Sequence, residues 1–579
     1  MANSTADAIP AEGLAVTGNL TLMDSFSRLP ATLWEQRDLL ALQARIVVAA
    51  LGCIYVGSFA SLRRPPSASP PKKKKRGKYG EKDEDDDDQF VQGLVASDAI
   101  MFPILAGTVL VGLYYLIKWL EDPAIISKIM GVYFSVMSLA SMGKLLADFL
   151  HFVTGLVFPE VWKCSDGILW RFDGAKKCQY RLDDGGERVY DNAKMSPFPG
   201  TLFSKWRFSE SKHNLFWELR HLYQEQWTVR FAMHGLGKHR IQLRLNDVLG
   251  AFMAIGASIL YQTTKSNMLS NIMGYAFSYV GIVTLSPTSF AIGSSVLFGL
   301  FFYDIYMVFY TPYMVTVATK LDVPIKLVFE SGKRSSMLGL GDIVVPGMFI
   351  GLCLRFDHFL HYYRQRQLVP VELRSEEKGV DGVVDEVQET QRMVQKPKYV
   401  NPMGQWGNRF WGSGSATPAV KAAAFKKTYF KAALVGYFLA MLATLTMLLV
   451  FKHAQPALLY LVPGVVSAVW ITGAVRGELH EMWIYTEDGT LDKEDVIVEV
   501  DGSGNVLKVV EDKKEEDESK EDSKTSDAKA DTEASGAVDL AQKEKPHTSE
   551  TKKSKKASSR TVFAFTIEAP PSPTEVVDQ

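Results

Sequence analysis

The chain has 579 residues and nearly balanced charge, with 64 Lys and Arg against 65 Asp and Glu. The resulting net charge of −1 excludes the basic composition that is typical of nucleic-acid-binding proteins, so no nucleic acid partner is expected. Long apolar runs such as Leu434–Val450 alternate with very polar stretches such as Glu81–Gln89. This uneven distribution predicts a polytopic membrane protein and argues against a soluble globular domain.

Nine apolar segments approach the roughly 20 residues that a helix needs to cross a bilayer. The predicted spans lie near residues 39–61, 98–119, 126–155, 245–262, 267–286, 289–311, 337–356, 427–451 and 455–475. The third segment is too long for one upright crossing, so it should tilt or protrude. The predicted fold class is an all-α membrane protein, a polytopic bundle of about nine transmembrane helices.

Orientation follows from the basic residues that flank the first span. Arg63, Arg64 and Lys72–Lys75 come directly after it, and basic loops stay in the cytosol. The segment before the span is then lumenal, and it carries two glycosylation sequons, at Asn3 and Asn19. An odd number of spans places the C-terminus in the cytosol.

These predictions divide the chain into nine regions. They are a lumenal segment (1–38), the first transmembrane helix (39–61), a charged cytosolic loop (62–97), the second and third helices (98–155), a cytosolic loop (157–243), helices four to seven (245–356), a cytosolic loop (357–426), helices eight and nine (427–475) and a largely disordered cytosolic tail (476–579). Within the tail, the alternation around residues 496–510 is consistent with a small β-hairpin.

Carboxylates inside apolar spans are costly, at about 2.5–3.5 kcal/mol each, so every one of them needs an explanation. Asp148 follows Lys144 by four residues and can pair with it. Asp247 begins the fourth span as a helix N-terminal residue, and Asp357 ends the seventh span at the interface. These three aspartates therefore require no functional site.

Asp304 and Asp342 differ, because neither has a basic residue within one helical turn. On antiparallel spans both would lie roughly 10 Å from the lumenal surface, at similar depth. Two facing carboxyls cannot both ionise cheaply, so they would share a proton. One could then activate a water while the other polarises a carbonyl. Buried carboxyls alone leave a second class open, an ion relay in a transporter or channel.

Three motifs decide between these classes. Tyr303-Asp304 in one span, Gly339-Leu340-Gly341-Asp342 in the next, and Pro456-Ala457-Leu458 before the last span resemble the motifs of the presenilin and signal peptide peptidase family. The string Phe302–Tyr306 and the short connection near 312–336 resemble signal peptide peptidase more closely than presenilin. The resemblance covers roughly residues 98–155 and 245–485.

The resemblance implies an intramembrane aspartic endopeptidase that needs neither a metal nor an organic cofactor. Asp304 and Asp342 would be its catalytic pair. The residues expected to shape the site or bind substrate are Tyr303, Gly339, Leu340, Gly341, Gln455, Pro456, Ala457 and Leu458. The implied substrates are signal peptides and type II membrane proteins, cleaved in the endoplasmic reticulum membrane, with homo-oligomers or quality-control proteins as further partners.

Other protease classes lack their signatures here. No span holds a His-Glu-x-x-His zinc motif, and no Gly-x-Ser-x-Gly accompanies a span histidine. Two alternatives to proteolysis stay open, a membrane quality-control scaffold and an ion-conducting protein. The segment Pro324–Phe329 has strand character, and we hypothesise that it offers an edge for substrate pairing.

Overall fold

The computed structural model describes residues 37–69, 92–119, 123–183, 185–191, 193–233, 237–320, 326–331, 334–378, 384–412, 417–451, 455–489, 497–500, 506–510 and 563–569. The sequons at Asn3 and Asn19, the acidic run 81–89 and most of the tail after residue 510 lie outside these residues. The predicted glycosylation therefore stays a prediction.

Long helices dominate the described residues. They are α1 (Arg37–Ala60), α2 (Asp98–Trp119), α3 (Pro123–Val157), the shorter α4 (Glu210–Gln224), α5 (Leu245–Thr264), α6 (Asn267–Thr284), α7 (Phe290–Ile305), the short α8 (Tyr313–Lys320), α9 (Gly341–Tyr363), the short α10 (Trp406–Trp411) and α11 (Pro418–Ala422), α12 (Thr428–Phe451), α13 (Leu458–Arg476) and the short α14 (Leu479–Ile484).

Seven of the described helices are long and apolar enough to cross a membrane, namely α1, α2, α3, α7 with the turn that follows it, α9, α12 and α13. The predicted all-α, multi-pass membrane fold is thereby confirmed. Helices α5 and α6 are not among the seven, and polar residues such as Asn246 in the first turn of α5 and Asn271 in α6 lower their mean hydropathy. The count of nine spans stays a prediction.

Helix α9 forms the centre of the bundle. In its most apolar stretch, 89 % of the residues are buried within the protein. The corresponding share in the other six candidate spans is 11–39 %. Helix α9 packs against α1, α6, α7, α12 and α13. The outer helices instead expose large apolar side chains such as Ile104 and Ile129, as surfaces that face lipid do.

The seventh predicted span, 337–356, is displaced in the structure. Residues 337–339 belong to a β-hairpin, and α9 begins at Gly341 and continues to Tyr363. Asp357 therefore lies inside the helix and not at its end. The Asp357 carboxyl accepts hydrogen bonds from the backbone N–H groups of Tyr429 (3.2 Å) and Phe430 (2.9 Å), so this buried group caps the start of α12.

The described strands form small sheets, of which the pair β9–β10 packs into the core of the helical bundle through Leu327 and Leu338. They are β1 (Gln92–Leu94), β2 (Val161–Lys163), β3 (Leu169–Asp173), β4 (Cys178–Leu182), β5 (Arg188–Tyr190), β6 (Trp227–Met233), β7 (Gly237–Leu243), β8 (Leu285–Pro287), β9 (Lys326–Ser331), β10 (Arg334–Gly339), β11 (Gln367–Lys378), β12 (Val384–Gln395), β13 (Ile497–Val500), β14 (Val506–Val510) and β15 (Phe563–Glu568). The pair β13–β14 confirms the hairpin predicted near 496–510.

The loop predicted over 157–243 is a folded unit. Strands β2 to β5 form an antiparallel sheet in sequential order, and α4 packs beside it through Trp217 and Phe172. The buried Arg220 guanidinium donates to the carbonyls of Pro159 and Pro197. The unit is thereby tied to the end of α3.

Three short pieces of the tail predicted to be largely disordered are ordered, namely α14, the β13–β14 hairpin and strand β15, and most of the remaining tail lies outside the described residues. Strand β15 pairs antiparallel with β6, and Glu568 lies 3.3 Å from Arg230. Its sequence Phe-Ala-Phe-Thr-Ile-Glu alternates with period two and has high β-propensity, which favours a strand despite the charged residues that precede it.

Candidate active site

Asp304 lies near the end of α7. The helix passes from Ile305 into a π-helical turn over Tyr306–Tyr310, and such turns are frequent at functional sites. The Asp304 side chain is buried, with the residue only 4 % exposed. A carboxyl group at this position is therefore surrounded by protein and not by lipid.

Asp342 is the second residue of α9, directly after the hairpin of β9 and β10. A Cβ atom at position 339 would lie only 3.2 Å from Oδ2 of Asp342, so glycine keeps the hairpin backbone next to the carboxyl group. The carboxyls of Asp304 and Asp342 lie within electrostatic range of each other. The structure thus brings the two predicted aspartates together.

The Pro-Ala-Leu motif joins the same site through its backbone. The N–H of Leu458, the first residue of α13, donates a 3.1 Å hydrogen bond to Oδ2 of Asp304. The N-terminus of a helix carries partial positive charge, so α13 stabilises negative charge on Asp304. Pro456 and Leu458 are buried here, and Ala457 and Gln455 are partly exposed.

The remaining predicted site residues have packing contacts around this centre. The ring of Tyr303 packs against Gly107 of α2. A Cβ atom at position 107 would lie 3.6 Å from a ring carbon of Tyr303. Leu340 covers Gly274 of α6, with a side-chain carbon 3.3 Å from the position of a Cβ there. Gly341 is exposed, which leaves the start of α9 open beside Asp342.

Tyr437 is a site residue that the sequence analysis missed. Its hydroxyl, on the buried face of α12, donates a 3.2 Å hydrogen bond to the backbone carbonyl of Asp342. Within a helix that carbonyl would pair with the N–H four residues further on, but this residue is Pro346, which has none. Tyr437 therefore replaces the hydrogen bond that Pro346 removes. The proline at position 346 indicates in the sequence that the Asp342 carbonyl lacks its helical partner. The sequence does not indicate that Tyr437 supplies the replacement, because tertiary packing determines that contact.

Replacing Tyr437 by Phe should leave this buried carbonyl unpaired, at a cost of about 1–3 kcal/mol in stability. Because the carbonyl belongs to Asp342, we also expect cleavage to slow by roughly 10–100-fold through misplacement of the carboxyl group. The measurement is kcat/KM with an unfolding midpoint for each variant.

Pro346→Ala supplies the matched rescue, because an alanine at this position would offer its own N–H to the Asp342 carbonyl. The double variant Tyr437→Phe/Pro346→Ala should regain most of the lost activity. Equal damage in the single and the double variant would show that Tyr437 acts through packing alone.

Side chains of neighbouring helices hold strand β9, and Arg45 of α1 donates to the carbonyl of Glu330 (3.5 Å). The Asn271 amide receives a hydrogen bond from the Val328 N–H (2.8 Å) and donates one to the Val328 carbonyl (2.7 Å). The strand predicted within 324–329 is thus present from Lys326, but its outer edge is occupied at Val328. Strand β10, which leads directly to Leu340 and Asp342, lies on the other side of the hairpin.

Comparison with known proteins gives consistent matches. A family model described as signal peptide peptidase matches residues 85–489. An intramembrane protease 2 of Caenorhabditis elegans is 32 % identical over 264 residues, which are 44 % of this chain and 46 % of that protein. A probable intramembrane protease of Schizosaccharomyces pombe is 34 % identical over 249 residues, 42 % of this chain and 66 % of the relative.

A longer match is found with the human signal peptide peptidase. It is 25 % identical over 407 residues, covering 69 % of this chain and 75 % of the human protein. The chain thus matches less than two thirds of the length of the worm and fission yeast relatives. The family model includes the three motifs and all the contacts described above, from Gly107 to Leu458.

Proposed function

The chain belongs to the signal peptide peptidase family, and on that premise we propose that it is an intramembrane aspartic endopeptidase with Asp304 and Asp342 as its catalytic pair. The observation that carries this proposal is the meeting of three motifs at one place. Asp304 accepts a hydrogen bond from Leu458 and lies within electrostatic range of Asp342. Neither an ion relay nor a scaffold requires this arrangement.

The two carboxyls would divide the work of hydrolysis. The ionised carboxyl takes a proton from a water, which attacks the scissile carbonyl, and the protonated carboxyl polarises that carbonyl. The tetrahedral intermediate then collapses as the leaving nitrogen receives the proton that the first carboxyl took from the water, which returns the pair to one ionised and one protonated carboxyl. The N–H of Leu458 and the positive end of α13 support Asp304 as the carboxyl that carries the charge.

Cleavage requires an extended substrate backbone, because the peptide bonds of a helix are shielded. We propose that β10 binds this extended segment by adding a strand to its edge. The residues of β10 run directly into Leu340 and Asp342, so a paired substrate strand would pass beside the carboxyl groups. The occupied edge of β9 at Val328 supports this choice over the strand favoured by the sequence.

The proposed substrates are signal peptides left in the membrane and type II membrane proteins. The proposed location is the endoplasmic reticulum membrane, with the N-terminus in the lumen and the C-terminus in the cytosol. The name of the human relative, signal peptide peptidase, supports signal peptides as substrates, and the basic residues Arg63 and Arg64 after α1 support the orientation. Homo-oligomers and quality-control partners stay predictions.

The test is cleavage of a tagged signal peptide by the purified full chain in detergent, with the products identified by mass spectrometry. We expect the cut to fall within the apolar segment of the substrate. Products cut only in the flanking polar residues would contradict an intramembrane site. Binding of the peptide without any cut, across several peptides, would favour the scaffold.

A further inference from the structure

Five large apolar side chains are exposed on the protein surface around the end of α3. They are Leu202, Phe203, Trp206, Trp406 and Phe410, here called the interfacial patch, with exposed fractions of 83, 51, 56, 40 and 68 %. Neither the catalytic pair nor the hairpin touches them. Exposed apolar groups of this size mark interaction surfaces, and their position identifies the partner.

The loop that carries Leu202 and Phe203 is rigidly attached to the bundle. Phe198 stacks on Phe158 at the end of α3 (5.5 Å between ring centroids). At the other end of the loop, Phe208 contacts Phe216 of α4 (4.9 Å) and stacks on Trp206 (5.3 Å). Packing at both ends of the loop therefore holds Leu202 and Phe203 in their exposed positions.

Helix α10 is attached to the same end of α3. The indole N–H of Trp411 donates to the carbonyl of Leu156 (2.7 Å), and the Asn408 side chain accepts from the N–H of Glu160 (2.7 Å). Trp411 also lies 3.5 Å from the Cβ position of Gly200, at the start of the loop. Helix α10 and the loop thus form one surface around the α3 terminus.

This surface continues the lipid-facing side of α3. The exposed Phe152 of α3 contacts the ring of Trp406 (6.4 Å between centroids). Val153 and Val157 are also exposed, so the apolar surface of α3 reaches the end of the helix. Aromatic side chains at such a position are typical of the membrane–water interface.

Charge indicates which lipids the surface contacts. Lys205 and Arg207 are exposed and alternate with the aromatic residues, and Arg409 is exposed between Trp406 and Phe410 along the chain. Residues 201–212 hold three basic residues against the single acid Glu210. Basic residues among apolar ones favour a surface of anionic headgroups.

We infer that the interfacial patch inserts into the bilayer surface at the α3 end and that Lys205 and Arg207 bind anionic lipid headgroups there. The folded unit of residues 157–243 is then a lipid-binding module of the enzyme. In the proposed orientation it contacts the cytosolic leaflet, which is the anionic one in cells. This inference concerns lipid recognition and does not depend on the catalytic residues.

The test uses the full chain in nanodiscs, with a dansyl-bearing amino acid in place of Phe203. The matched control carries it in place of Glu187, an exposed residue near the turn between β4 and β5 of the same unit. We expect spin-labelled lipid to quench the probe at position 203 and not at position 187. Acrylamide, a quencher dissolved in water, should quench the probe at position 187 more strongly than at position 203. Quenching at 203 should be stronger in nanodiscs with anionic lipid than in neutral ones.

The double variant Lys205→Glu/Arg207→Glu separates the headgroup contact from insertion. It should lower the lipid quenching at position 203 in anionic nanodiscs by about threefold or more, to the level in neutral ones. Equal quenching by acrylamide at 203 and 187 would overturn the proposal. Protection of position 203 from both quenchers would also overturn it, since another protein would then cover the patch.

Discussion

Asparagine in place of Asp304 or Asp342 should lower kcat/KM for a transmembrane substrate by roughly 10³-fold or more. Asparagine has nearly the shape of aspartate, and its side-chain oxygen at position 304 can still accept the Leu458 N–H. It cannot take up or release the proton that the reaction needs. Each variant should therefore fold and bind substrate while cleavage is lost.

The losses of activity in Asp304→Asn and Asp342→Asn should not add. If the carboxyls act as one unit, the double variant Asp304→Asn/Asp342→Asn is as inactive as either single variant and no more so. Single-turnover cleavage of a fluorogenic transmembrane peptide measures this over the required range. Effects that multiply would mean that the two groups serve separate steps.

Asp148→Asn is the matched control, because Asp148 is a third carboxyl within a span. It pairs with Lys144 (3.0 Å) and accepts a hydrogen bond from the Tyr279 hydroxyl (2.6 Å), as a structural group would. Its replacement should change cleavage by no more than about threefold, since exposed helix pairs contribute little. If Asp148→Asn were as inactive as the pair variants, the assignment of the catalytic carboxyls would fail.

The sequence was informative where membrane physics leaves little choice. An unpaired Asp in an apolar span is costly, so the neighbours of Asp304 and Asp342 marked them as candidate functional groups, and the three motifs then favoured proteolysis over an ion relay. Asp148 was correctly paired with Lys144, because an i,i+4 contact is local. The start of α9 at Gly341 was missed because an apolar strand, Met337–Gly339, precedes it without a change in hydropathy.

Contacts between distant segments were beyond sequence reasoning. The Leu458 N–H at Asp304 and the Tyr437 hydroxyl at the Asp342 carbonyl join residues far apart in the chain. The strand Phe563–Glu568 had a readable period of two, but the charged residues before it dominated the composition of the tail. Composition averaged over a long segment conceals such a short apolar strand.

Glu487 is another residue that joins segments far apart in the chain, and it lies outside the catalytic site. Its carboxylate lies 2.8 Å from Arg355 of α9 and pairs with Arg63, which follows α1. Ser286 donates to it at 2.9 Å, and the Tyr485 hydroxyl also bonds to it. Glu487 is 5 % exposed and Arg355 3 %, so this network joins four segments inside the protein.

Glu487→Gln should destabilise the fold by about 3–5 kcal/mol near pH 7, because the buried Arg355 and the partly buried Arg63 lose their counter-charge. Burial alone would raise the pKa of the Glu487 carboxyl, but Arg355 and Arg63 outweigh it and hold the pKa below its ordinary value of 4.5. A lowered pKa means that the charge stabilises the fold above about pH 4.5, and that this contribution is lost as the pH falls through the folded pKa. The measurement is the unfolding midpoint in detergent from pH 7 to pH 3.

The difference between the wild type and Glu487→Gln should thus be constant above about pH 5 and shrink below pH 4.5, because both carry a neutral side chain at low pH. Glu187→Gln, at an exposed position outside the bundle, should match the wild type at every pH. A difference that persists unchanged at pH 3 would mean that Glu487 stabilises the fold through shape and hydrogen bonding. It would then not hold Arg355 of α9 and the segment after α1 together by its charge.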